Sequence, residues 1–324
     1  MDRRDFLKAG LGGFTSYFLT AGLSLSIPNR AEAAIVEYNI SAEESLKPVQ
    51  GLTEILTWQY VDALAPTLGN LQSHITVFEG DTVIVNLTNN LPTHSIDFNV
   101  PGLFSSTLAV APGQTQTYEF IATQAGSYGF YDTANAGLGR AMGLAGPLVV
   151  LPLDNANALY TAALPEHQFD RQYVLMFQEM DSRINNAIAA GLPVDMNSFQ
   201  PDFFFVNGLM YPDTVYSAPD VIDDNKVILM AANENVALRF INGGLIYYPM
   251  HFHGYHTNVV LRNRSLEQFV VEKDTVLVKV DECVDTILPV GSQLGLYPLH
   301  THYVPGVTTN GSYAGGGLLM MKAV

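Results

Sequence analysis

Two pairs of histidines are the residues of this sequence best suited to hold a metal ion. The segment YYPMHFHGYH contains His251 and His253, and the segment LHTHY near the C-terminus contains His300 and His302, half of the chain's eight histidines. If each segment is a β-strand, both histidines of a pair project from one face, because side chains alternate with a period of two. Imidazole ligands without neighbouring thiolates suit copper or zinc. The alternative is a set of histidines with structural hydrogen bonds only.

The composition is that of a well-buried globular protein with an acidic surface. The chain has 324 residues, of which 48% are hydrophobic and 14% charged, enough for two domains with separate cores. A formal charge of −16 argues against a nucleic-acid partner, since phosphate backbones repel an acidic protein. Cys283 is the single cysteine, so this chain alone cannot build a disulfide framework, a cysteine-rich zinc site or an iron–sulfur cluster.

The N-terminal residues predict an export signal. The segment MDRRDFLK resembles a twin-arginine signal, residues 9–27 are mostly apolar, and the small-residue segment AEA ends at Ala33. We therefore predict that residues 1–33 are a cleaved signal peptide and that the mature protein is periplasmic or extracellular. The alternative is an uncleaved membrane anchor, since the apolar stretch is nearly long enough to span a bilayer.

Short β-branched and aromatic segments separated by Gly, Pro and Asn predict an all-β protein. Residues 74–89 have the pattern of a hairpin-like pair of strands around the turn at residues 79–81. Strands of this kind favour an antiparallel sandwich or barrel. One short helix is predicted near residues 184–190, ended by Gly191.

An internal repeat indicates that one fold occurs twice. The segment VIVNLTN aligns with VALRFIN, THSIDFN with YYPMHFH, and GSYGFYDT with GLYPLHTH. We predict a first domain at residues 34–153, a linker at residues 154–171 and a second domain at residues 172–324. The positions that carry the two histidine pairs in the second copy are occupied in the first copy by Asp97, Asn99, Tyr131 and Thr133.

At these blocks the chain resembles the multicopper oxidases, particularly their two-domain members, and the related copper nitrite reductases. The segments that carry the resemblance are FEGDTV, PMHFHG and HTH. It implies two cupredoxin-like Greek-key β-sandwich domains and copper as the cofactor. By position, His251, His253, His300 and His302 resemble the half of a trinuclear copper cluster that the last domain supplies. The resemblance also implies a homotrimer, in which the first domain of one subunit faces the second domain of the next.

The chain departs from the family pattern at the mononuclear copper that accepts electrons. The family's histidine and cysteine at this site are replaced by Tyr248 and Thr301, and Asp132 stands at the corresponding cysteine position of the first domain. Without a thiolate we expect no blue-copper site. His94 is retained where a nitrite-reductase-like first domain has a mononuclear-copper histidine, so we include it among the predicted metal ligands. Asp97 is a further hypothesis, as an oxygen ligand that reaches the histidines across a subunit interface.

Two functions follow from these residues. The first is a copper-dependent oxidoreductase of altered type, with a small-molecule reductant as substrate. The alternative is an exported copper-binding protein without turnover, serving in metal handling or as a structural partner; a zinc site or a metal-free descendant also remains open. The remaining residues of interest are predicted to be structural, buried or exposed rather than ligands: His74, His167, His256, Met142 and Cys283.

Overall fold

The computed structural model describes residues 32–49, 54–62, 71, 73–218 and 221–324. Apart from Glu32 and Ala33, the predicted signal peptide lies outside these residues. Among the helices of the described ranges, none is long and apolar enough to cross a membrane.

The first seven strands form two sheets packed over one hydrophobic core. The sheets have the orders β2-β1-β4-β5 and β3-β7-β6. In β4 every second residue is buried, which is the period-two pattern that places one face of a strand on the core. The strands are β1 Ile35–Lys47, β2 Ile55–Val61, β3 Ile75–Phe78, β4 Thr82–Asn89, β5 Thr115–Ile121, β6 Gly126–Tyr131 and β7 Ala145–Leu151, and a short helix α1, Leu138–Met142, precedes β7.

The predicted hairpin at residues 74–89 is wrong, although both of its strands exist. β3 pairs in parallel with β7, whereas β4 pairs with β1 and β5, so the turn at Glu79 and Gly80 carries the chain from one sheet to the other. The Asp81 carboxylate holds this turn by accepting hydrogen bonds from the backbone of Phe78 at 2.9 Å and Ala34 at 2.8 Å. Four of the described strand pairs are parallel, so the sheets are mixed and not antiparallel throughout.

The remaining strands build a second sandwich around a core of its own. Its sheets have the orders β16-β15-β18-β13-β8-β9 and β12-β20-β19-β14-β17, with a separate pair β10-β11. The strands are β8 Arg171–Met180, β9 Phe203–Val206, β10 Tyr216–Ala218, β11 Val221–Ile222, β12 Ile228–Met230, β13 Asn235–Asn242, β14 Tyr248–Phe252, β15 Thr257–Arg262, β16 Ser265–Lys273, β17 Thr275–Val278, β18 Cys283–Pro289, β19 Gly295–Thr301 and β20 Leu319–Ala323.

The predicted short helix is confirmed as α2, Ser182–Ala189. The Asp181 side chain caps its first turn by accepting from the Arg183 N–H at 3.0 Å. Gly191 follows the helix with a φ of 66°, the left-handed conformation that ends helices.

The segment predicted as a polar linker is packed against the sandwiches. Residues 154–171 contain one 3₁₀ turn, Pro165–His167, and bury Ala156, Leu159 and Phe169. The first pair of sheets contains only strands that precede this segment, and the second only strands that begin at its end or follow it. The domain limits drawn from the repeat stay a prediction.

A buried polar network joins the two sandwiches. Ser127 of β6 donates from its hydroxyl and, at 3.2 Å, from its N–H to the Asp285 carboxylate of β18. The Arg239 guanidinium of β13 lies 3.5 Å from Asp285 and donates to Gln172 at 2.8 Å. Arg239 is fully buried, and burial lowers its pKa while Asp285 opposes that shift. This network fixes β6 of the first sandwich against the second.

Candidate metal centre

The antiparallel register of β14 and β19 brings the two histidine pairs together. His251 lies directly opposite His300. The pairing continues past both strand ends, because the His253 N–H donates to the Pro298 carbonyl at 3.0 Å and the His302 N–H to the Pro249 carbonyl at 2.7 Å. With side chains alternating between faces, all four imidazoles therefore project from the same face of the sheet.

The four imidazole rings form a compact cluster. Ring centroids are 4.4 Å apart for His251 and His302, 4.9 Å for His251 and His253, and 5.1 Å for His253 and His300. The Nε2 atoms of His253 and His300 lie 3.0 Å apart. His253 and His302 are exposed, whereas His251 and His300 are half-buried. The cluster is thus open to solvent on one side and backed by the sheet on the other.

The two half-buried histidines, His251 and His300, are held by hydrogen bonds at Nδ1. His251 Nδ1 lies 3.0 Å from the Asp274 carbonyl and 3.1 Å from Thr275 Oγ1, and His300 Nδ1 lies 3.1 Å from the Thr301 carbonyl. A backbone carbonyl only accepts, so Nδ1 carries the proton in both rings and Nε2 presents a lone pair. This is the arrangement that commonly orients metal-binding histidines.

Desolvation and mutual repulsion favour the neutral form of three of the four histidines. Desolvation is the main cause that lowers the pKa of His253, His300 and His302, and the neighbouring histidines lower it further. Neutral imidazole is the form that binds metals.

The donor set fits copper bound by pairs of imidazoles better than one closed four-ligand site. Among the residues that the structure describes, no three His, Cys, Asp or Glu side chains already surround a single point. The two Nε2 atoms of His253 and His300, 3.0 Å apart, would be able to hold one copper ion together. His251 and His302 offer a second pair on the same face.

The first-domain positions that correspond to the histidine pairs form an internal hydrogen-bond network. Asp97 accepts from the N–H of Thr133 at 2.6 Å and from its hydroxyl at 2.7 Å. Asn99 donates to the Thr133 hydroxyl at 2.9 Å, and the Tyr131 hydroxyl donates to the Asn242 carbonyl at 3.0 Å. These groups already have partners within the chain, and the hypothesis that Asp97 is a ligand remains a prediction.

His94 does not join the histidine cluster within one chain. Its Nδ1 lies 2.9 Å from Thr93 Oγ1 and its ring lies 4.9 Å from that of Trp58. Among the described residues, the ring and hydrogen-bond contacts of His94 include none of the four clustered histidines. Its assignment as a ligand stays a prediction.

Tyr248, which by the resemblance stands where the multicopper oxidases have a mononuclear-site histidine, is paired with a buried carboxylate that sequence reasoning missed. The hydroxyl of Tyr248 donates to Glu179, which also accepts from the Leu245 N–H. Both side chains are buried, and burial raises the pKa of each. Phe177 stacks on Tyr248 with ring centroids 4.9 Å apart. The available sign of Glu179 in the sequence was that it is the single acidic residue of the mostly apolar β8.

Asp132, which the internal repeat aligns with Thr301, is a buried acid. Its Oδ1 accepts from the Asp97 N–H at 2.8 Å, and its Oδ2 has no hydrogen-bond partner among the residues that the structure describes. Burial raises the pKa of Asp132 to about 8, and the neighbouring Asp97 carboxylate adds to the shift. Asp132 is therefore largely protonated at neutral pH.

The residues predicted to be structural are found in structural or exposed positions. Cys283 is buried at the start of β18, and burial raises the pKa of its thiol to about 12. Met142 is buried in the first core. His167 Nδ1 lies 2.8 Å from the Tyr160 hydroxyl, His74 is buried and His256 is exposed.

Comparison with known proteins finds a family model and a relative that each match part of the chain. Residues 69–155 match the family model described as multicopper oxidase. A stretch of 85 residues is 36% identical to the L-ascorbate oxidase of Cucumis sativus, which corresponds to 22% of this chain and 14% of that protein. The matched region therefore spans far less than two thirds of that relative.

Solved structures extend the likeness to most of the chain. The blue copper oxidase from Nitrosomonas europaea is similar with a TM-score of 0.72 and 23% identity, over 90% of this chain and 86% of that one. The copper nitrite reductase from Nitrosomonas europaea is similar with a TM-score of 0.67 and 18% identity, over 90% and 94%. At these identities the likeness establishes the fold.

The comparisons define the fold class as cupredoxin-like. The chain consists of two cupredoxin-like Greek-key β-sandwich domains, as the repeat and the resemblance predicted. Its resemblance to the multicopper oxidases is confirmed, and copper is the cofactor of that family.

Proposed function

We propose that this protein is an exported copper-dependent oxidoreductase of multicopper-oxidase type without a blue-copper site. The observation that supports this most directly is the cluster of four imidazoles on one face of β14 and β19, with the Nε2 atoms of His253 and His300 3.0 Å apart. Bound copper supplies one-electron redox chemistry. The chain supplies neutral imidazole donors, and the carbonyls of Asp274 and Thr301 orient His251 and His300.

The proposal of no blue copper rests on the missing thiolate. A blue-copper site requires a cysteine ligand. The positions that correspond to the family's cysteines hold Thr301 and Asp132, and Cys283 is a buried thiol in another part of the fold. Tyr248 stands at the position that corresponds to the family's mononuclear-site histidine, and its hydroxyl donates a hydrogen bond to Glu179.

A second candidate function is copper binding without turnover. The first-domain face supports it, because the Asp97 carboxylate is already occupied by two hydrogen bonds from Thr133. In that case the four histidines act alone, as a site for metal handling. Oxygen consumption with a reducing substrate distinguishes the enzyme from the binding protein.

We also propose export and assembly into a homotrimer. The twin-arginine segment at residues 1–33 supports export, and a mature chain that begins at Ala34 by mass spectrometry would test it. The resemblance supports a trimer that places Asp97 and His94 of one subunit opposite the histidines of another. Copper affinity that is unchanged in Asp97→Ala would exclude the carboxylate as a ligand.

Copper reconstitution gives the direct test of the proposed centre. We expect the mature protein to bind about two copper ions per subunit, one held by His253 and His300 and the other by His251 and His302. A fraction of the copper should be magnetically coupled and therefore EPR-silent. We expect no intense blue thiolate band. Metal analysis, optical spectra and EPR of the same sample provide the measurement. A strong blue band would contradict the absence of a thiolate ligand, and one copper or none with an ordinary non-blue signal would favour the binding function.

Copper binding is expected to weaken below about pH 6.5, the ordinary histidine range. The pKa of His253, His300 and His302 is lowered, so these imidazoles are neutral at pH 7 and lose copper only when acid protonates them. The metal-free fold follows the same direction, because the unfolded chain takes up these protons first and stability falls as pH falls. Copper titration across this pH range checks the first effect, and an affinity independent of pH would argue against imidazole ligands.

A further inference from the structure

A tyrosine and a carboxylate occupy the interior of the second domain beside the histidine cluster. Tyr248 starts β14, three residues before His251, and its side chain points into the core from the opposite face. It is 1% exposed, and its hydroxyl donates to Glu179, which is 2% exposed. A buried carboxylate normally requires a cation or several hydrogen bonds. Here Glu179 accepts from the phenol and from the N–H groups of Leu245 and Ile246, and the Arg140 guanidinium offsets part of the rise in its pKa that burial causes.

A pair of tyrosines, Tyr247 and Tyr303, extends from the same region to the surface. Tyr303 directly follows His302, and its ring lies 5.8 Å from that of Tyr247. Tyr247 is 52% exposed and immediately precedes Tyr248. The exposed Tyr247 is thus adjacent in the chain to the buried Tyr248, and its ring contacts that of Tyr303, the neighbour of His302.

We propose that Tyr248 and Glu179 form a proton-coupled redox pair that passes single electrons to the histidine-bound metal. By the sequence resemblance Tyr248 stands where those proteins have the histidine of the mononuclear copper, and with Glu179 it provides a one-electron donor with its own proton acceptor. The proposal rests on the copper chemistry proposed above, although the pair itself consists only of residues of this chain.

The electron and proton balance follows from the hydrogen bond. When Tyr248 is oxidised, its electron goes to Cu²⁺, which becomes Cu⁺, and its hydroxyl proton moves to Glu179, giving a neutral phenoxyl radical and a carboxylic acid. A one-electron organic donor, such as a phenol, then reduces the radical. Glu179 returns its proton to Tyr248, and the oxidised phenol releases one proton to solvent. Burial raises the pKa of Glu179 and so makes it a stronger base than an exposed carboxylate.

Photo-oxidation of the copper-free protein tests the pair without any turnover. A photogenerated ruthenium(III) polypyridyl complex removes one electron, and EPR of samples frozen after increasing delays records the radicals. We expect a long-lived neutral tyrosyl radical in the wild type and its loss in Tyr248→Phe. Glu179→Gln keeps the phenol but removes the proton acceptor, and we expect it to lose the long-lived signal as well. Radical formation in the wild type is expected to slow in D₂O.

Tyr313→Phe is the matched control, because Tyr313 is 78% exposed and has no part in the pair. It should leave the long-lived signal unchanged. Far-UV circular dichroism and thermal unfolding confirm that each variant is folded. An unchanged long-lived radical in Tyr248→Phe or in Glu179→Gln overturns the proposal. If the protein binds copper normally but forms no long-lived radical, the redox pair is excluded and the proposed function is not. If the radical forms on Tyr248 but the protein binds no copper, the proposed function is excluded and the redox pair is not.

Discussion

Replacement of His300 by alanine is expected to lower copper affinity by more than about 100-fold, the upper range found for losing a residue that merely supports a ligand. The His300 ring is near those of the other three histidines, its Nε2 lies 3.0 Å from that of His253, and the residue lies opposite His251. Its removal leaves His253 without the imidazole nitrogen that lies 3.0 Å from its own Nε2. Competition with a calibrated chelator, together with metal analysis after dialysis, measures the effect.

Two further variants make this result specific. His253→Ala removes the other member of the same pair and should produce a comparable loss. His256→Ala changes an exposed histidine three residues away and should leave copper affinity unchanged. If His300→Ala retained wild-type affinity while His256→Ala lost it, the assignment of the cluster as the metal centre would be wrong.

Asp285→Ala is expected to destabilise the fold by about 3–5 kcal/mol, the usual cost of removing one partner of a buried ion pair. Arg239 is fully buried, and its charge is balanced by Asp285 at 3.5 Å. The same substitution leaves Ser127 without its carboxylate acceptor. Urea unfolding followed by circular dichroism gives the free energy of unfolding.

Matched substitutions separate the buried charge from lost packing. Arg239→Met combined with Asp285→Leu removes both charges and should recover most of the stability, since apolar replacements of buried ion pairs are often close to neutral. Asp224→Ala breaks the exposed pair with Lys322, whose side chain is 33% exposed, and should cost less than about 1 kcal/mol. Equal losses in Asp285→Ala and Asp224→Ala would contradict a special role for the buried network.

The network of Ser127, Asp285 and Arg239 connects the two sandwiches but does not include the four clustered histidines. Ser127 belongs to β6, whereas Arg239 and Asp285 belong to neighbouring strands of the second sandwich. Arg140 adds a second connection, with its guanidinium donating to the carbonyls of Gly243 at 3.0 Å and Asn242 at 3.1 Å. We expect Asp285→Ala to reduce copper content only to the extent that it unfolds the protein.

Local sequence patterns were sufficient to predict the strands, the repeat and the two histidine pairs. Period-two alternation depends only on neighbouring residues, so it revealed that His251 and His253 share a face and that His300 and His302 do too. The same local pattern placed α2 and its end at Gly191. It could not decide whether β3 and β4 pair or lie in opposite sheets, because both arrangements bury alternate residues.

The sequence by itself determined which side chains were available for metal chemistry and that one fold occurs twice. The tertiary structure decided which of them meet. The register that sets His251 opposite His300 joins residues almost fifty positions apart, and no local pattern specifies such a pairing. Glu179 reaches Tyr248 from another strand, and Asp285 reaches Ser127 across two sandwiches. These contacts depend on how complete sheets pack, which is why they became visible only in the folded chain.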